Sequence, residues 1–311
     1  MDHPFSPDGP SLVCGSCEPE FDSPTGDGPA AGAPSLTFGK LARLFVDRRD
    51  VKFWHTEGPR HNHLYWVRAM LSEQAEPPPL VPRLVTQPKS EADRLRFAQA
   101  RREVYGFLAR AFEYPTDAFL ADISNPRSVE RLALEFRSLA DNDDVNEGLA
   151  LWRAMAGRGT TLVGEFGLSP LRRAYTRLIY DSELPCIPPY ESIYCNERHV
   201  MGKPAAAVAA VYRGAGLGVD GHEMPDHIAL ECEFVAHLAD REIAARQSGR
   251  REEARQLWAA ERQFLTTHLL TWGGKFCADL SALASVEFYQ AVARLGRGLF
   301  NDERIRAETN R

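Results

Sequence analysis

From residue 90 onward, apolar residues recur with the spacing of helix faces, and no segment shows the sustained alternation of a strand. In "REVYGFLARAFEYP", Val104, Leu108, Ala111 and Phe112 fall at i, i+4, i+7 and i+8, one side of an amphipathic helix that Pro115 brings to an end. "SPLRRAYTRLIYD" is expected to open with Ser169 as its cap and Pro170 at the first helical position, setting Leu171, Tyr175, Leu178 and Ile179 on one face. "KPAAAVAAVYRGAG" begins at Pro204 and closes at Gly214, the punctuation of a short helix. Phe234 with Leu238 forms a further apolar stripe, as do Phe264, His268, Trp272 and Phe276, and then Phe288, Val292, Leu295 and Leu299. This pattern predicts an all-α fold, a single helical bundle over residues 91–300 followed by a charged tail at 301–311.

The preceding ninety residues have a different character. Residues 1–35 contain "SPDGP" and "SPTGDGPAAGAP" and little that is apolar, too little to offset the entropy of ordering, so a disordered tail is expected there. Residues 36–90 read as a small appended module, with Phe38, Leu41, Leu44 and Phe45 at helical spacing, joined to the bundle by the proline-rich "EQAEPPPLVPRLVTQPKS".

Composition narrows the function. With 311 residues, 44% of them hydrophobic, the chain can fill a core. Its net charge of -6 argues against nucleic acid, whose phosphates call for Lys and Arg. No apolar run is long enough to span a membrane, and the N-terminus lacks the basic start and apolar core of a signal peptide, so a cytoplasmic protein is expected. Arg48 and Arg49 in "VDRRDVKFW" precede no apolar stretch and are not an export signal of the chain's own. Six scattered cysteines point to reduced thiols. Residues 181–240 hold ten acidic side chains against three basic ones, a surface suited to steering a positively charged peptide.

Two loops concentrate the unusual residues: "CIPPYESIY" at 186–194 and "MPDHIALECEF" at 224–234. Asp226 is placed to cap the helix that follows, and His227 and Glu231, four apart, share a face of it. No Glu-x-x-His occurs in that helix, so a di-metal bundle site is not expected. "GAGLG" at 214–218 lacks the preceding strand of a phosphate-binding loop, and Ser192 has no defined base beside it. No catalytic group emerges, and the chain is read as a non-enzyme. His237 and His268 read as ordinary helix histidines. A rival reading rests on "CGSC": the spacing of Cys14 and Cys17, with His61 and His63 as further ligands, suits a metal-dependent or redox-active protein.

Taken together, "CIPPYESIY", "MPDHIALECEF", their spacing, and "FLTTHLLTWGGKF" with "EFYQAVARLGRGLF" resemble the TorD/DmsD family of redox-enzyme maturation chaperones, which includes the NarJ-like proteins. The resemblance covers roughly residues 99–300. It implies an all-helical cytoplasmic chaperone without a cofactor of its own. Such a chaperone binds the twin-arginine signal peptide, the apo form of a molybdenum-containing oxidoreductase catalytic subunit, or both, and delays export until the molybdopterin cofactor is in place. It leaves room for a homodimer. Carried over residue by residue, the partner-binding set is Pro188, Pro189, Tyr190, Glu191, Ser192 and Tyr194 with Pro225, Asp226, His227 and Glu231. The diproline would stiffen one wall of a groove, Glu191, Asp226 and Glu231 would meet the signal's arginines, and Tyr190 and Tyr194 its apolar segment. The chain departs from the family pattern at Met224, where many relatives carry glutamate, and in its additional N-terminal residues.

Overall fold

The structure, a computed structural model, describes residues 35–37, 90–158, 167–181, 186–195, 202–220 and 223–309. The expected tail, the appended module and linker, and Cys14, Cys17, His61 and His63 lie outside the described residues. In chain order the elements are β1 (Ser35–Thr37), α1 (Glu91–Ala111), α2 (Asp117–Ser124), α3 (Pro126–Leu139), α4 (Asp143–Gly157), α5 (Leu168–Tyr180), α6 (Glu191–Tyr194), α7 (Lys203–Gly214), β2 (Gly218–Asp220), α8 (Ile228–Gln247), α9 (Arg251–Thr267), α10 (Leu269–Leu283) and α11 (Glu287–Thr309).

Local chemistry sets the first four helix starts. Ser90 and Asp93 form a reciprocal capping box at α1, Thr116 caps α2, Asn125 caps α3 ahead of Pro126, and Asn142 caps α4. Each side-chain oxygen accepts a backbone N–H that the helix leaves unbonded, a contribution of about 1 kcal/mol. Two helix boundaries differ from expectation. Helix α5 begins at Leu168 with Gly167 at the cap, so Ser169 and Pro170 fall within its first turn. The last helix runs through to Thr309 with Asp302, Glu303 and Arg306 buried, so residues 301–309 complete a packed helix in place of a charged tail.

The all-α expectation holds for the bundle. Helix α1 packs along α8, α4 along α11, and α10 along α11. Gly148 lets α4 approach α11 closely, because a Cβ there would stand 3.0 Å from the Ala291 carbonyl oxygen. Phe107 stacks on Trp152 with centroids 4.6 Å apart, and the Trp152 indole donates to the Ile123 carbonyl at 2.9 Å, so the ring is buried without an orphaned N–H. A small parallel pairing joins β1 to β2, with Ser35 opposite Gly218 and Thr37 opposite Asp220. Strands of three residues carry no alternation that periodicity could detect.

Candidate functional site

The two motif loops meet. The Glu191 N–H donates to the Asp226 carbonyl at 3.0 Å and the Ile228 N–H to the Pro189 carbonyl at 2.9 Å, so Tyr190 and His227 pair as an isolated antiparallel bridge. Pro189 has no N–H to offer, but its carbonyl accepts the Ile228 N–H at the start of α8. The Tyr190 and His227 rings meet edge to face at 5.4 Å.

Asp226 is not the cap of its own helix. That place belongs to His227, whose Nδ1 accepts the Ala229 N–H at 3.1 Å, while Asp226 Oδ2 accepts the Ser192 N–H at 2.9 Å. Asp226 therefore ties down the start of α6 from across the site. Burial drives the His227 pKa down to about 3 and keeps the imidazole neutral, as an accepting Nδ1 requires.

Three carboxyl groups converge here, all buried: Glu191, Asp226 and Glu231. Glu191 Oε2 lies 3.0 Å from His268 Nδ1, and Glu231 Oε2 accepts the Trp272 indole N–H at 3.2 Å. Among the described residues no Arg or Lys pairs with any of them, and Asp226 Oδ1, Glu231 Oε1 and Ser192 Oγ have no hydrogen-bond partner. Burial, reinforced by the neighbouring Glu191 carboxyl, pushes the Glu231 pKa well up. The expectation that these three groups line an open groove is thus corrected: in this conformation they lie beneath it.

The half-buried face belongs to Pro188, Tyr190, Tyr194 and Pro225. The Tyr190 hydroxyl donates to Glu223 Oε1 at 2.9 Å and the Tyr194 hydroxyl to Asp279 Oδ2 at 3.1 Å. The Tyr194 ring rests 5.3 Å from that of Trp272. Burial raises the pKa of both Tyr190 and Glu223.

Four contributors escaped the sequence reading: Glu223, His268, Trp272 and Asp279. His268 in particular is no ordinary helix histidine. It sits at φ -123°, ψ -93° between α9 and α10, where the Thr266 and Thr267 hydroxyls bond back to the Arg262 and Gln263 carbonyls. Such back-bonding competes with the helix ladder and accompanies its break. "TTH" was the available signal. No group of three or more His, Cys, Asp or Glu able to hold a metal occurs among the described residues.

Residues 139–278 match the family model described as nitrate reductase delta subunit, and this span contains both motif loops and every carboxyl group of the site except Asp279. Over that span the chain is similar to the TorD/NarJ-like family of chaperones. A chaperone protein TorD of Vibrio cholerae serotype O1 (strain M66-2) is 30% identical over 118 residues, 37% of this chain and 52% of the relative. A selenate reductase assembly chaperone protein of Thauera selenatis is 41% identical over 71 residues, 23% of this chain and 36% of the relative. A chlorate reductase assembly chaperone protein of Ideonella dechloratans is 41% identical over 66 residues, covering 21% and 33% respectively. The chain spans about half the length of the TorD relatives it matches. The relatives named here are chaperones by name, not enzymes.

Proposed function

We propose that this chain is a cytoplasmic maturation chaperone for the catalytic subunit of a molybdenum-cofactor oxidoreductase. It engages the apo subunit and its twin-arginine signal peptide through the surface formed by the two motif loops. The names of the relatives, two of them assembly chaperones for reductases, support the class of client. No helix among the described residues is long and apolar enough to cross a membrane.

The observation that carries the reading is a layered site: half-buried aromatic groups above, carboxyl groups without a cationic partner below. Pro188, Tyr190, Tyr194 and Pro225 offer rigid, amphipathic contact area to an apolar segment. Beneath them, Asp226 Oδ1 and Glu231 Oε1 retain acceptor capacity that a guanidinium can fill. An arginine reaches them when the turn at 190–194 moves aside, a displacement that exchanges the Tyr190 and Tyr194 hydroxyl bonds for contacts with the peptide. Pro189, Ser192, Glu191 and His227 hold the surface in place from below.

Calorimetry with a twin-arginine signal peptide tests this on the full chain. Affinity for the natural peptide is expected to fall as salt rises, because part of the attraction acts over distances comparable with the Debye length of about 8 Å at physiological salt. Lysine in place of both signal arginines is expected to weaken binding less than glutamine, since charge survives while bidentate geometry is lost. Tyr190→Ala with Tyr194→Ala is expected to weaken all three peptides. Equal, salt-independent binding of the three would mean that charge is not read here and that recognition rests on apolar contacts or on the folded client.

A further inference from the structure

A groove of about 360 Å³ runs between the C-terminal end of α7, α8 and the first half of α9, apart from the two motif loops. Phe234, Leu238 and Leu257 make its apolar floor, and Gly214 and Ala215 make one lip. Its mouth is positive. Arg241 lines it, and exposed Arg213 immediately precedes Gly214; neither forms an ion pair among the described residues. The lining carboxylate, Glu253, is already engaged by Arg250 at 2.6 Å.

The strand pairing shows which stretch of chain comes to this place. In the parallel register Ser35 stands against Gly218, so β1 begins next to Leu217 and the turn at 214–216. Gly216, at φ 77°, makes that turn, and its neighbours Gly214 and Ala215 form the lip of the groove. The arriving chain matches the mouth in charge: residues 1–34 contain six carboxylates and neither Lys nor Arg. Within it, Phe21 is flanked by Glu20 and Asp22, 14 residues before Ser35. At roughly 3.3 Å per extended residue, that tether reaches up to about 45 Å.

We propose that the groove is the docking site for this acidic aromatic segment, residues 18–22 of the chain's own N-terminal extension. The Phe21 ring lies on the Phe234, Leu238 and Leu257 floor, and Glu20 and Asp22 face Arg241 and Arg213. A ring removed from water on an apolar floor supplies the attraction, and the flanking charges fix its orientation. Tethering holds the segment at an effective concentration on the order of millimolar, so even a weak contact is occupied. This inference stands apart from the reading of the motif loops.

The test is photo-crosslinking in the full-length chain with Phe21 replaced by p-benzoylphenylalanine, followed by peptide mapping. Adducts within one chain, on the peptides that carry Leu238 or Leu257, are expected. Reversing the partners with Arg213→Glu and Arg241→Glu is expected to lower the yield about fivefold, the effect of two exposed pairs turned repulsive. Adding Glu20→Arg and Asp22→Arg to that variant is expected to restore it. Adducts elsewhere in the chain, adducts joining two chains, or a yield indifferent to the arginine reversal each overturn the assignment. Both arginines are exposed, so circular dichroism of the variants should match the parent, and a loss of yield then reports the contact and not the fold.

Discussion

Helix α8 carries a buried polar cluster at each end, and the two are compensated differently. Toward its C-terminus, Arg101 of α1 bonds Glu242 of α8 and Glu261 of α9, each at 2.5 Å, with its guanidinium 4.0 Å from the Trp258 ring centroid. Arg246 gives Glu242 a second cation. Toward its N-terminus, Glu191, Asp226 and Glu231 have N–H donors, the Cys195 thiol and one histidine ring, and among the described residues no Arg or Lys. Depth is alike at both ends; counter-charge is not. A matched cluster joins helices, whereas carboxyl groups without a cation keep acceptor capacity for something that arrives later.

The largest effect should come from breaking the matched end. Arg101→Met leaves Glu261 buried without its cation and is expected to destabilise the fold by about 3–5 kcal/mol in chemical denaturation. Glu261, already raised to about 7 by burial, can take up a proton, so the loss should shrink as the solution is acidified. A loss below about 1 kcal/mol at neutral pH would mean the cluster does not hold the helices together.

Asp226→Ala comes next. It removes the acceptor of the Ser192 N–H, the side-chain tie that adds to the backbone bonds between the two loops. A stability loss of about 1–3 kcal/mol is expected, the range for a buried donor left unsatisfied. Signal-peptide affinity should fall as well, since the Tyr190 and Tyr194 face then loses its support. Unchanged stability would show that the contact is dispensable.

Glu113 gives a pH dependence that belongs to neither end. Burial, with repulsion from Glu233 second and Arg110 opposing, raises its pKa from 4.5 to about 8. Between those values the folded chain keeps a proton that the unfolded chain has lost, so stability falls as pH rises through this window. Glu233, raised to about 7, acts in the same direction below neutrality. Melting temperature should therefore drop between pH 6 and pH 8, by the equivalent of about 1–2 kcal/mol, and Glu113→Gln should flatten the slope. An identical slope in that variant would place the titration elsewhere.

The smallest effect is expected at Glu231→Gln. The amide oxygen still accepts the Trp272 N–H, and a carboxyl whose pKa stands well up loses little on replacement by a neutral isostere. Stability should change by less than about 1 kcal/mol, while affinity for an arginine-bearing peptide should fall. A stability loss as large as that of Arg101→Met would erase the distinction between the two ends.

Much of the fold was legible because it is local. The stripe of Val104, Leu108, Ala111 and Phe112 lies on one face of α1, and Pro204 stands in the first turn of α7. The short β1 and β2 pairing escaped notice because three residues carry no period. The site was legible only as a pair of suggestive loops. Its bonds join residues 34 positions apart for Ser192 and Asp226, 41 for Glu231 and Trp272, and 77 for Glu191 and His268. Nothing in the spacing of "TTH" announces that a break in the helix will bring His268 to Glu191.

By itself, the sequence determined that this chain forms a helical bundle, that helices begin near Pro170, Pro204 and Asp226, and which two loops depart from that pattern. These follow from backbone capping and from a repeat of 3.6 residues, both set within a few neighbours. The tertiary structure decided that Asp226 caps α6 and not α8, that His227 is a neutral acceptor, and that three carboxyl groups lie beneath a tyrosine surface. Those outcomes depend on burial and on which donors long-range packing brings near, and a carboxyl group's desolvation is a property of its surroundings that no local pattern encodes.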